Sequence, residues 1–325
     1  YKTGAFTVAA DLSYSRAVRE QSTLETYAGM TSGLNVDFRI PLSAGYAWYG
    51  LPDLSAPGSV KLGDPQQWGH DGRMENSRQV DTMKAFRLSL NHALDSAFLS
   101  SYDVGYNFSR RSKDKHADVY FADLPGRVPV AVDPSLLQSP TDLGFAGMGS
   151  VLTYDPRALL SNYYNVYLSE TNDDLQKDNR IQEEIGTFYA KANIDTTLGE
   201  RVNLRGNIGL QYVRTNQKSN GVGITPAGPA EVIAVGTTYN DVLPRLNLVF
   251  DFNNGWNLRF GAAEEQMRPR INDMGAYANV GVSVGNGVAQ WSGRGGNPKL
   301  EPFRAKAVDI SVEKYFGPAS YIALA

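Results

Sequence analysis

Strict alternation between apolar and polar residues dominates this chain and restricts it to strands with two unlike faces. After Arg201, the residues Val202, Leu204, Ile208, Leu210 and Tyr212 fall on one face, and Asn203, Arg205, Asn207 and Gln211 on the other. A repeat of two residues is the period of a half-buried strand, not of a helix. The pattern returns along the chain. Phe6, Val8, Leu12 and Tyr14 oppose Thr7, Asp11, Ser13 and Ser15, and Phe98, Tyr102, Val104, Tyr106 and Phe108 oppose Ser101, Asp103, Asn107 and Ser109. Phe188, Ala190, Ala192 and Ile194 oppose Tyr189, Lys191, Asn193 and Asp195, Leu246, Leu248, Phe250 and Phe252 oppose Arg245, Asn247 and Asp251, and Trp256, Leu258 and Phe260 oppose Asn257 and Arg259.

No segment approaches the roughly 18 to 20 consecutive apolar residues of a spanning helix, and the mean hydropathy is -0.34. Two architectures remain, a soluble β protein and a transmembrane β-barrel, whose strands are short and apolar on one side only. The connections separate them. Tight turns are expected at Asp95-Ser96, Leu198-Gly199-Glu200, Asn253-Asn254-Gly255 and Gly317-Pro318, and long loops at about 51 to 84, 110 to 180, 216 to 238 and 264 to 302. Short and long connections therefore alternate, which in an up-and-down sheet gathers every long loop at one end, as in outer-membrane barrels. Aromatic residues at strand ends (Tyr212, Phe252, Trp256, Tyr315 and Phe316) suit an interfacial girdle. The expected fold is all-β, an antiparallel transmembrane β-barrel of which about ten strands are present, with long extracellular loops carrying short helices. One helix is expected over 157 to 167, N-capped by Asp155 with Pro156 in its first turn, and another starts at Asp133-Pro134. The glycine-rich stretches at Gly144 to Gly149 and Gly281 to Gly296 would let loops fold back over a mouth. Strand direction is open in the segments Leu34 to Ile40 and Tyr46 to Tyr49.

Other functions lack their residues. A net charge of -3 removes the basic footprint of nucleic-acid binding. The absence of cysteine excludes disulfides, thiolate metal sites and cysteine nucleophiles. His70, His92 and His116 show no metal-ligand spacing and read as loop or lumen residues. Asp173, Asp174, Asp178, Glu183 and Glu184 lack the calcium-loop pattern, so a solvated loop is favoured over a cation site. Gly281-Val282-Ser283-Val284-Gly285 matches the nucleophile-elbow pattern but precedes no helix-forming run. No enzyme, metal or cofactor is expected.

The last third of the chain carries more specific marks. YNDVLPRLNLVFDF (Tyr239 to Phe252) is followed by MRPRINDM (Met267 to Met274) and by GNPKLEPFRAKAVDISVEKYF (Gly296 to Phe316). This order resembles the TonB-dependent receptors of proteobacteria, and the runs Asp81 to Lys113 and Ala10 to Glu20 are similar to the same family. The subgroup it most resembles is often associated with oligosaccharide uptake. The resemblance implies an outer-membrane receptor of twenty-two strands, with residues 1 to 325 as the central part of the barrel and the plug domain, its TonB box and the C-terminal strands lying outside them. It also implies TonB and its inner-membrane complex as partners, beside membrane lipid and a small-molecule or oligosaccharide ligand. A siderophore or other metal-chelate receptor, a passive porin and a soluble β-sandwich binding module stay open as alternatives.

Within the motif, Pro298 and Pro302 forbid helix and hold an extended, turning backbone, so Gly296, Asn297, Pro298, Leu300 and Pro302 are expected to shape the end of a loop rather than to bind ligand. Ligand contact is expected from the loop aromatics Trp68, Tyr163, Tyr164 and Trp291, whose faces suit a sugar ring. Arg205, Arg245, Asp251 and Arg259 are expected to face the lumen, together with Lys191 and Asp103. Their mixed signs suit a neutral polar solute.

Overall fold

The computed structural model describes residues 1–325 apart from 31–35, 41–44, 170, 226–227, 286 and 318. Its main sheet is a path of ten strands: β1 (Lys2–Thr3), β2 (Phe6–Thr26), β3 (Gly72–Ala93), β4 (Leu99–Asp123), β5 (Asn179–Leu198), β6 (Val202–Thr225), β7 (Gly228–Asp251), β8 (Trp256–Met267), β9 (Phe303–Gly317) and β10 (Ser320–Leu324). Neighbours in sequence are neighbours in the sheet throughout, so the architecture is an up-and-down meander. From β4 to β10 every adjacent pair is antiparallel. Among the described residues β1 and β10 do not pair with each other, so the barrel wall is not closed.

The chain divides into two compact units, one holding Tyr1–Arg19, Gln79–Lys115 and Gln176–Ala325, the other Glu20–Arg78 and His116–Leu175. In the first, cross-strand register sorts the side chains into faces. Tyr102, Ala192, Ile208, Leu246, Ala262 and Val308 are successive direct partners across six strands. One residue along, the same strands align Ser101, Asn193, Asn207, Asn247, Gly261 and Asp309. That polar row is tied by side-chain bonds, Asn193 Nδ2 donating to Ser101 Oγ at 2.8 Å and Asn247 Nδ2 to Asn207 Oδ1 at 3.1 Å.

The apolar face is a band of limited height. On β6 it runs from Val202 to Tyr212, which matches the 9 to 11 residues that cross a hydrocarbon core on a tilted strand. Tyr106, Phe188 and Tyr212 are cross-strand partners at its upper rim, while Phe252 and Trp256 mark the lower rim, where the Lys314 ammonium lies 5.2 Å from the Trp256 ring. Ile208, Val242 and Val308 expose 54%, 53% and 67% of their surface on this band, and a soluble protein rarely leaves so continuous an apolar surface uncovered. Leu204 and Ile194 are exceptions, buried among their neighbours.

The strands are longer than the sequence alternation suggests. No loop spans 216 to 238: β6 and β7 continue in register from Asn203↔Asp251 to Gly223↔Glu231. Beyond Tyr212 both faces become polar, which erases the apolar signal while the backbone pairing goes on. Two other long connections are shorter than expected, since β4 reaches Asp123, β5 begins at Asn179 and β8 ends at Met267, whereas the connection before β3 is displaced rather than shortened and spans 27 to 71. Helix α1 covers Pro156–Tyr163, with the Asp155 carboxylate accepting from Arg157 N. It stops short of 167 because Asn165–Leu168 pair with Tyr120–Asp123. Asp133 caps only a 3-10 turn, Pro134–Leu136. The Gly281 to Gly296 stretch is an antiparallel hairpin, Ala278–Gly285 with Val288–Gly295, so the serine pattern lies on a strand. Asp37–Arg39 pair antiparallel with Ala47–Tyr49, and Leu34 lies outside the described residues.

The band predicts an asymmetry between neighbouring positions. Ile208→Arg places a cation in lipid and should cost about 2 to 4 kcal/mol. Asn207→Arg, on the polar face, should cost about one hydrogen bond, roughly 1 kcal/mol. Urea unfolding of the chain in lipid vesicles measures both, and equal losses would refute the lipid-facing assignment of the band.

Candidate ligand-binding surface

In the second unit, residues 64 to 69 form a loop closed on its own carboxylate. Asp64 Oδ2 accepts from Gly69 N at 2.8 Å and from the Arg127 guanidinium at 3.0 Å. Burial alone would raise the Asp64 pKa, but the Trp68 and Gly69 amides and Arg127 outweigh it and hold the carboxyl below the usual carboxylate range. Gln67 adopts φ 59°, a strained backbone for a side-chain-bearing residue, and next to it the Trp68 indole stands out with 61% of its surface exposed. Its edge meets the Tyr27 ring at a centroid distance of 4.9 Å. The Tyr27 hydroxyl donates to Glu25 Oε2 at 3.3 Å and lies 3.2 Å from His70 Nε2. His70 stacks on Phe121 at 4.0 Å, and Phe121 meets Tyr167, whose hydroxyl donates to Asp123 Oδ2 at 2.9 Å. The result is a shelf of aromatic faces edged by carboxylates. Burial, with Glu25 adding to it, pushes the Tyr27 phenol up to about 12, and burial pushes the His70 imidazole below its ordinary value.

In the first unit, the segment from Arg268 to Pro302 covers one face of the upper part of β5 and β6. Thr215, Gln217 and Ser219 are buried there. Gln217 Nε2 donates to the Pro298 and Leu300 carbonyls at 2.9 and 2.6 Å, and Ser219 Oγ accepts from Ala276 N at 2.8 Å. Asn297 N donates to Asp273 O at 2.8 Å, the Asn297 side chain accepts from Lys299 N at 2.9 Å, and Leu300 N returns to Asn297 O at 3.1 Å. Arg268 pairs with Glu183 at 3.0 Å. A Cβ on Gly296 would fall 2.1 Å from the Gly275 carbonyl oxygen. Gly296, Asn297, Pro298, Leu300 and Pro302 thus make a folded corner that delivers the chain to β9, with Pro298 and Pro302 buried.

This meander, its lipid-sized band and the corner before β9 coincide with a family match: residues 12–325 fit the family described as TonB dependent receptor-like, beta-barrel. The chain belongs to the TonB-dependent receptors. Members of that family are outer-membrane transporters, not enzymes. A comparison with curated proteins gave no match.

Of the four loop aromatics of the receptor, Trp68, Tyr163 and Tyr164 belong to the second unit and Trp291 to the first. Trp68 belongs to the shelf just described. Trp291 is 71% exposed on the hairpin of the first unit. Tyr164 is instead part of the second unit's core with Leu62, Ala122, Leu124, Val132 and Leu159, and burial raises its phenol. Tyr163 packs against that core, and its hydroxyl accepts from Asp133 N at 2.8 Å. Tyr164 therefore offers no face to a ligand, because helix α1 turns both tyrosines toward Leu62 rather than toward solvent. Tyr27, Asp64, His70 and Phe121 were not singled out from the sequence as partners of Trp68. Asp64, Trp68 and His70 are near one another in the chain, but nothing local marks the return of Tyr27 and Phe121.

The polar face is largely self-neutralised. Asp103 accepts from Asn91 and Asn193, each at 2.9 Å, and pairs with Lys191 at 3.1 Å. Arg259 pairs with Glu313 at 2.7 Å, Arg205 lies 3.9 Å from Asp195, and Asp251 accepts from Asn253 N within the β7–β8 turn. Arg245 has no carboxylate partner among the described residues and, with Arg87, Tyr189, Lys191 and Gln211, lines a polar cavity of about 570 Å³.

Gly296→Ala forces the corner open and should destabilise the receptor by about 1 to 3 kcal/mol, as overpacking does, measurable as a lower urea midpoint. His70 carries a separate signature. Its folded pKa lies below the unfolded value near 6.5, so the unfolded chain takes up the proton first and the shelf loses stability as pH falls below about 6.5. Trp68 fluorescence should report that loss, and His70→Gln should abolish it. A pH profile unchanged by the substitution would place the titration elsewhere.

Proposed function

We propose that this receptor takes up an oligosaccharide across the outer membrane by active transport energised through TonB, with the aromatic shelf as first contact. The observation that carries the reading is the Trp68 indole, locked in place by Asp64 yet open to solvent, with Tyr27 at its edge and Glu25 and His70 beside it. Such a surface offers stacking to the C–H face of a sugar and hydrogen bonds to its hydroxyls. Trp291 supplies a second exposed indole, in the first unit.

The polar face of β4 to β9 then offers amides, Tyr189 and compensated charges to a hydroxylated solute on its way inward. An unclosed ten-stranded wall leaves unpaired backbone edges, which hydrocarbon does not tolerate. Residues 1 to 325 are therefore read as the central part of a barrel completed by further strands, with a plug domain that TonB engages.

Titration of the purified protein with a panel of neutral oligosaccharides and ferric chelates, followed by Trp fluorescence and calorimetry, tests this. Trp68→Ala should weaken binding of the preferred oligosaccharide about tenfold, or 1.4 kcal/mol. Saturable binding of a ferric chelate alone, or oligosaccharide binding indifferent to Trp68→Ala, would overturn it.

A further inference from the structure

The matching of charges on the polar face stops at the cavity beside Arg245. Lys191 is committed to Asp103, whose two carboxylate oxygens also accept from Asn91 and Asn193, and Glu264 is held by Lys306 at 3.2 Å. Arg87 on β3 and Arg245 on β7 line the same cavity, are exposed and have no ion-pair partner among the described residues. Glu265 on β8 is the one carboxylate at this cavity without a cation partner among those residues. Two uncommitted guanidiniums therefore meet one uncommitted carboxylate.

Glycine shapes the same place. Gly105 is the direct cross-strand partner of Tyr189, and a Cβ there would fall 2.6 Å from the Tyr189 hydroxyl oxygen and Cζ. Only because that Cβ is missing can the phenol ring lie along the wall over β4, where it borders the cavity. Two residues along each strand, Asp103, Lys191, Gly209, Arg245 and Ala263 are successive partners. Gly209 leaves the position between Lys191 and Arg245 without a side chain, so the cavity reaches the backbone there. Gln211, the partner of Tyr189 on β6, is exposed beside the ring.

We propose that this recess is a subsite for a sugar acid, with a pyranose ring stacked on Tyr189 and carboxylates of a uronate-bearing oligosaccharide on Arg245 and Arg87. The inference rests on the oligosaccharide-uptake reading and names the charge class of the solute. A guanidinium binds a carboxylate through paired N–H donors, which a neutral hydroxyl cannot match. The Tyr189 ring supplies an apolar face for the C–H side of a pyranose, and the Gln211 amide can both donate to and accept from its hydroxyls. Tyr189 stands between the two arginines in strand order, two strands from each, so a stacked ring has a guanidinium on either side. Elsewhere on this face the ions are paired, which confines the preference for negative charge to this level of the wall.

Isothermal titration of the full chain in detergent tests the subsite. The probes are tetramers of galacturonate, mannuronate and guluronate, each beside its neutral methyl ester, together with a ferric chelate. At least one acid should bind tenfold or more tightly than its own ester. Arg87→Gln with Arg245→Gln should reduce that preference to within twofold, whereas Arg16→Gln, at a distant position on β2, should leave it unchanged. Tyr189→Ala should weaken acid and ester alike, about tenfold. Heat-modifiable migration on gels confirms that each variant is folded. Esters bound as tightly as all three acids, or an acid preference that survives the double arginine variant, overturns the sugar-acid subsite and leaves oligosaccharide uptake standing. Saturable binding of the ferric chelate alone overturns both.

Discussion

Register is the constraint on which the rest of this structure depends. Hydrocarbon accepts no unpaired backbone N–H or C=O, so every crossing strand must lie flush with its neighbours. A slip of one residue would turn each apolar side chain from lipid to lumen. The rows from Tyr102 to Val308 and from Ser101 to Asp309 show that register held across six strands. Short turns such as 199 to 201 keep it at one end. At the other, the buried corner at Gly296 to Pro302 sets where β9 begins.

That corner also explains how polar strands persist beyond the membrane. From Arg214 to Gly221 β6 has no apolar face, and an isolated polar ribbon of this length would not hold together. In the first unit the segment 268 to 302 lies across this stretch, and Gln217 and Ser219 bond to its backbone. The same polar side chains that conceal a strand in the sequence are the ones that bind it to its cover. The aromatic shelf of the second unit follows a similar logic, because Asp64 stiffens the loop that presents Trp68 and a core around Leu62 supports the strands beneath.

Electrostatics divides the molecule by task. On the polar face, carboxylates and cations are matched in place, as in Asp103 with Lys191 and Arg259 with Glu313, which leaves little fixed field there. On the apolar face the band is free of charge, and charged side chains appear only at its two edges. Two faces of the same strands, separated by one residue in sequence, thus meet two solvents with opposite demands.

The sequence by itself determined the all-β class, the alternating faces, the short turns, the height of the apolar band and, through GNPKLEP and its companions, the family. Each is local, since a period of two, a turn dipeptide or a motif is legible within a few residues. It also located α1, because Asp155 and Pro156 stand next to the turn they cap. Only the tertiary structure decided that 216 to 238 is paired strand, that Tyr164 is core while Trp68 is exposed, and that Tyr27, His70 and Phe121 join Trp68. Those outcomes depend on contacts between segments tens of residues apart, and a polar strand or a loop tyrosine carries no local mark of the surface that will cover it.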